Sequence, residues 1–187
     1  MYATEILRNE HEGIKIAISV LDRMADEIEA GRTVDLDDVD KLLDFLRTFV
    51  DRCHHGKEED LLFPALEAAG IPREMGPIGV MLSEHSHGRA HIRNMVDALA
   101  GLREGDPEAP KAFAAAAHGY VRILTGHINK ENNILFAMAE HQLLPHKHEE
   151  LAKGFDQIEH ERIGPGVHEQ YHALLDRLSR EYLGGER

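Results

Sequence analysis

Apolar residues recur at helical spacing along four long stretches of the chain. From Thr4 to about Ala30 they stand at Leu7, Ile14, Ile18, Leu21 and Ile28, and His11 and Ala25 fill the missing places of that stripe. Gly31 ends the stretch. A second one begins near Asp35 with Val39, Leu43, Leu46 and Val50, and continuing its rhythm gives His54, Glu58 and Leu61. Gly70, Pro72, Gly76, Pro77 and Gly79 mark an irregular connection. The third stretch, about Ile78 to Leu102, carries Met81, His85, Ile92, Met95, Leu99 and Leu102. The fourth, about Pro110 to Leu143, carries Phe113, Ala117, Tyr120, Leu124, His127, Glu131, Ile134 and Met138. This pattern predicts an all-α protein: an antiparallel up-down four-helix bundle over residues 1–143. A C-terminal helical extension over 144–187 is expected to pack on it. Its two shorter helices, about His146–His160 and Val167–Leu183, are separated by Gly164-Pro165-Gly166.

All four stripes carry metal-competent side chains at core-facing places: His11, His54 with Glu58, His85, and His127 with Glu131. The arrangement is duplicated. His127, Lys130, Glu131, Leu135 and Phe136 each follow His54, Lys57, Glu58, Leu62 and Phe63 by 73 residues, and Glu84-His85 repeats Glu10-His11 at an offset of 74. Residues four apart on a helix share a face, so each His-x-x-x-Glu points an imidazole and a carboxylate the same way. Buried without partners, such groups cost several kcal/mol each, and a shared metal would supply the partner. Four imidazoles and two carboxylates exceed one tetrahedral zinc but suit a two-metal centre with both carboxylates bridging. With a shared oxo or hydroxo group, two six-coordinate ions keep about two positions for water or a small ligand. Inward carboxylates and histidines from four helices are how bundle di-iron sites are built.

Composition narrows the partners. A net charge of −13 argues against nucleic acid and anionic lipid. No apolar run approaches 18 residues and no charged-then-apolar leader opens the chain, so a cytoplasmic protein that does not enter a membrane is expected. The single cysteine, Cys53, fits a reducing compartment and reads as a small buried residue more than a redox thiol.

The chain resembles the hemerythrin-like (HHE) family of cation-binding bundles. The resemblance rests on Glu10-His11, on His54-x-x-x-Glu58 followed by Glu59 and Leu62-Phe63-Pro64, on Glu84-His85 with Gly88-Arg89, and on His127-x-x-x-Glu131. It covers about residues 4–143. It implies a non-haem centre of two iron ions in a protein that binds oxygen, senses oxygen or iron, or decomposes peroxide. The oxygen-carrying hemerythrins instead have His-x-x-x-His on the third helix and His-x-x-x-x-Asp on the fourth. Here Glu131 comes one residue earlier, as in the broader HHE pattern. Four histidines where the carriers use five imply an extra open position, which favours reaction over reversible holding. The expected function is binding of O2 or peroxide as a sensor, store or peroxide-reactive protein. The alternatives are a catalase-like peroxide-decomposing enzyme and an iron-handling bundle. Any signal is expected to pass through a signalling partner, and homo-oligomerisation is a separate expectation.

Other side chains are candidates for supporting roles. Tyr120, seven residues before His127 on the same stripe, could donate a hydrogen bond to a bound oxygen species. His55 and Glu59, one step round from His54 and Glu58, either approach the site, support it from behind, or face a neighbouring helix or water. His87 and His91 lie well round the third helix from its stripe and read as a solvated face, with metal binding by either as the lesser alternative. His168 and His172 share a helix face and could hold a second metal, though no carboxylate stripe supports that.

Overall fold

A computed structural model of the protein describes residues 2–184. They are all-helical, with no strand among the described residues, and none of their helices is long and apolar enough to cross a membrane. Helix α1 (Ala3–Glu29) opens with the Tyr2 amide donating to the Glu5 carboxylate at 2.9 Å and stops before Gly31, whose φ of +70° suits glycine. Helix α2 starts on the Asp35 side chain, which accepts from the Asp37 amide at 2.8 Å. It runs as Leu36–Phe45, Leu46–His55, Glu58–Leu62 and Phe63–Ala68. Helix α3 spans Pro77–Glu104, with proline in the first turn and left-handed Gly105 at the end. Helix α4 runs as Ala109–Lys130, Glu131–Leu135 and Phe136–Gln142; α5 (Pro145–Arg162) and α6 (Val167–Tyr182) follow.

Two of these helices depart from the regular α-helix that periodicity predicts. Leu46–His55 and Glu58–Leu62 in α2, and Glu131–Leu135 in α4, are π-helical. Their i→i+5 hydrogen bonds widen the turn, so neighbouring residues are separated by less rotation than on an α-helix. Glu58–Leu62 and Glu131–Leu135 are related by the same 73-residue offset as the ligand motifs. The Leu46–His55 stretch has no such counterpart, because residues 119–128 of α4 are α-helical.

The core divides in two. One apolar cluster joins Ala3 and Leu7 of α1, Leu62, Phe63 and Leu66 of α2, Ile78 and Met81 of α3, and Leu135 and Phe136 of α4. It therefore collects the starts of α1 and α3 and the ends of α2 and α4. The other cluster holds the remainder, from Ile14 and Leu21 through Val39, Phe45, Ile92, Met95 and Phe113 to Leu124. His11, His54, His85 and His127 lie along each helix between the two. The C-terminal helices add to both: Leu151 and Phe155 of α5 to the first, and Tyr171, Leu175 and Leu178 of α6 to the second. Arg177 clasps Asp38 through two hydrogen bonds of 2.7 and 2.9 Å, and the Tyr171 hydroxyl donates to Asp44 at 2.9 Å.

Candidate metal centre

Each ligand candidate owes its place to its helix. His11 takes a stripe position of α1 between Leu7 and Ile14, and His85 one of α3 between Met81 and Ile92. His54 with Glu58, and His127 with Glu131, follow the apolar runs of α2 and α4 into their widened turns. All six are buried. The Nε2 atoms of His11 and His54 stand 3.1 Å apart, as do those of His85 and His127. Between the pairs lie the carboxylates. Glu58 turns Oε1 toward His54 Nε2 (3.6 Å) and Oε2 toward His85 Nε2 (3.5 Å), while Glu131 Oε2 lies 3.3 Å from His11 and 3.2 Å from His127. Both therefore reach from one histidine pair to the other.

A fifth histidine joins them. His55 is buried, with its ring stacked on His85 at 3.8 Å between centroids. Two groups of side chains can each bring one ligand atom within 4.8 Å of the others: His11, His54, Glu58 and Glu131, and His55, Glu58, His85 and His127. The residue that duplication places opposite His55 is Ile128, which is also buried. The centre thus has two unlike halves.

The outward nitrogens are held by a matched set of partners. His54 Nδ1 donates to Glu10 at 2.7 Å and His127 Nδ1 to Glu84 at 3.0 Å; Lys57 and Lys130 bind those same carboxylates in turn. His11 Nδ1 donates to Asn132 at 2.9 Å and His85 Nδ1 to Glu59 at 2.7 Å, and residues 59 and 132 again differ by 73. Arg89 bridges Glu59 and Asp51 at 2.7 Å each, and Asp51 faces His55 Nδ1 at 3.4 Å. Phe63 stacks over His85 and Phe136 over His11, closing the layer toward one apolar cluster. With Nδ1 held outward, every Nε2 is free to serve as a ligand atom.

The electrostatics ask for a cation. All four oxygens of Glu58 and Glu131 are buried and accept no hydrogen bond; the facing imidazoles lie within ion-pair range but outside hydrogen-bond geometry. An anion buried in that way is untenable without positive charge nearby. In the metal-free protein His85 answers by holding its proton: burial opposes the charge, but Glu58 and Glu59 outweigh it and push the pKa up to about 9. His11 shifts the same way, its burial outweighed mainly by Glu131. His55 goes down, because burial and the adjacent His85 both disfavour its charge. Oxygen and nitrogen donors around paired carboxylates fit a pair of divalent or trivalent transition-metal ions.

Other candidates lie elsewhere. Tyr120 is buried in the larger apolar cluster with its ring 3.5 Å from where a Gly88 Cβ would stand, and its hydroxyl forms no hydrogen bond. His87 is exposed. His91 is not the solvated residue that its angular position predicts: its half-buried ring sits in a notch at Gly119, where any Cβ would meet it at 2.3 Å. Neither belongs to the two metal-competent groups. Cys53 is buried, which pushes its thiol up to about 11 and away from thiolate chemistry.

Comparison with known proteins gives the family. The chain is 23% identical over 177 residues to uncharacterized proteins of Mycobacterium tuberculosis and Mycobacterium bovis, covering 95% of this chain and 68% of theirs. It is 34% identical over 89 residues to the iron-sulfur cluster repair protein YtfE of Escherichia coli, covering 46% of this chain and 40% of that protein. No solved structure matches. The family model of the hemerythrin HHE cation binding domain matches residues 2–139, which hold every one of these donors and their partners, and the chain belongs to that family.

Proposed function

We propose that the protein is a di-iron protein of the hemerythrin type that binds O2 or peroxide at one open coordination position. The reading places the centre within an up-down four-helix bundle formed by α1–α4, with α5 and α6 as an extension packed on it; Met1 and residues 185–187 of the expected boundaries lie outside the described residues. The observation that carries it is the set of four buried carboxylate oxygens without hydrogen bonds, facing the imidazole nitrogens of His11, His54, His85 and His127. Glu58 and Glu131 would serve both ions, with His11 and His54 holding one and His55, His85 and His127 the other. Bound iron supplies reversible electron transfer to oxygen species. The chain supplies the asymmetry. His55 would add a donor to its half, whereas Ile128 offers none to the other, so a small ligand would be held on the His11–His54 side. The fifth histidine lowers the expected number of open positions from about two to about one.

The name of the matched Escherichia coli repair protein favours a second reading, in which the same centre handles iron for other proteins. Anaerobic loading with ferrous iron, followed by optical spectra under O2 and then peroxide, separates the two. A ligand-binding centre gives oxygen-dependent absorption with iron retained. Iron that leaves to a chelator on oxidation, with no such absorption, supports handling. Peroxide consumption at many turnovers per centre supports the enzyme alternative.

A further inference from the structure

Arg89 of α3 donates through Nε to Asp51 Oδ1 and through Nη2 to Glu59 Oε1, each at 2.7 Å. Both of those oxygens also face a histidine of the centre. Glu59 Oε1 accepts from His85 Nδ1, and Asp51 Oδ1 stands 3.4 Å from His55 Nδ1. One guanidinium therefore fixes the oxygen behind His85 and the oxygen behind His55. Lys57 and Lys130 act differently, binding Glu10 and Glu84 through the oxygen that the histidine leaves free. Asp51 and Glu59 are eight residues apart on α2 and bracket His54, His55 and Glu58. The clamp thus grips α2 on both sides of its ligands, across the π-helical turns that carry them.

The duplication shows how the other half differs. Offsets of 73 and 74 put Leu124, Ile128 and Asn132 in the places of Asp51, His55 and Glu59, and Lys15 in that of Arg89. Leu124 and Ile128 are buried apolar residues, and exposed Lys15 pairs with Glu12 on its own helix. Residues 119–128 are regular α-helix, whereas Leu46–His55 is widened. The clamp, the widened stretch and the fifth histidine thus occur together in one half and have no counterpart in the other.

We propose that Arg89 is a positioning residue for the half of the centre formed by His55, His85 and His127. It holds α2 in the widened form that brings His55 inward, and so sets the affinity of that ion. The proposal rests on the two-ion reading above. Widened turns occur mostly singly, so a run of ten residues such as Leu46–His55 needs holding from outside. The planar fork of an arginine bonds two carboxylates in fixed geometry, which a lysine ammonium does not reproduce.

Arg89→Gln, Arg89→Lys and, as a control, Lys15→Gln are loaded anaerobically with ferrous iron and titrated with a chelator, with iron per chain read at each step. Arg89→Gln should weaken one ion about ten-fold or more and leave the other within about three-fold. Arg89→Lys keeps the charge without the fork and should still weaken that ion by about three-fold or more. Lys15→Gln should match the unsubstituted protein. The ion that remains in Arg89→Gln should be lost on adding His11→Ala and kept on adding His127→Ala. In the metal-free protein the His55 and His85 rings, stacked at 3.8 Å, should give NMR contacts that Arg89→Gln abolishes. Asp51→Asn breaks one arm of the clamp and should weaken the same ion, which decides the matter if Arg89→Gln folds poorly. Unchanged affinity for both ions, equal weakening of both, or full recovery in Arg89→Lys would overturn the proposal. An unsubstituted protein that takes up one ion only would overturn the two-ion reading and the proposal with it. The iron count of the unsubstituted protein separates that failure from failure of the clamp alone.

Discussion

Glu58 and Glu131 each face two histidines from different helices, so removing either should strip both ions where removing one histidine weakens one. Glu58→Ala and Glu131→Ala are expected to lower iron from about two per chain to near none, measured by elemental analysis after anaerobic loading. His87→Ala should leave it unchanged. Glu10→Ala leaves every ligand in place but frees the His54 ring, and should weaken iron about 10–100-fold in a chelator competition. His55→Ala should weaken one ion only. The six duplicated ligand candidates were legible because each occupies an apolar stripe place where a polar residue is costly. His55 was not. On a regular α-helix it lies about 100° round from His54, and only the widened turns of α2 bring both inward.

At the scale of elements, the π-helical turns at Glu58 and Glu131 follow the duplication, yet nothing in apolar spacing marks them. A stripe of threes and fours reads as a helix of either kind over a few turns. The positions of the long helices and their breaks were legible because Gly31, Pro77, Gly105 and Pro145 punctuate them. The attachment of α6 was less so: its anchors are the Arg177 clasp, hydrogen bonds of Tyr171 to Asp44 and of His168 to Glu159, and a few apolar contacts. Side-chain hydrogen bonds from Arg177 hold the Asp38 carboxyl below its usual range, against the opposing effect of burial. A carboxylate with a lower pKa folded than unfolded contributes stability above its unfolded value, near 3.9, and loses it as pH falls through the folded value. Arg177→Ala should therefore cost about 1 kcal/mol at pH 7, and the difference from the unsubstituted protein should shrink below about pH 4. Urea unfolding of the metal-free forms across pH checks both.

The whole molecule places a polar layer between two apolar clusters joined by the same four helices. Without cations that layer holds buried carboxylates facing imidazoles, and two of those imidazoles, His11 and His85, have raised pKa values. Metal that binds only the folded state stabilises it by mass action, about 2.7 kcal/mol at a hundred-fold excess over Kd. Iron-loaded protein should therefore melt several degrees above the metal-free form in calorimetry. Equal melting temperatures would argue against a buried centre. The most direct measurement is anomalous diffraction at the iron edge from crystals of protein loaded anaerobically with ferrous iron. The expected map has two iron peaks in each chain, both within bonding distance of Glu58 and Glu131. One should contact His11 and His54, and the other His55, His85 and His127. A single peak, or two peaks with His55 bound to neither, would contradict the unlike-halves centre proposed here.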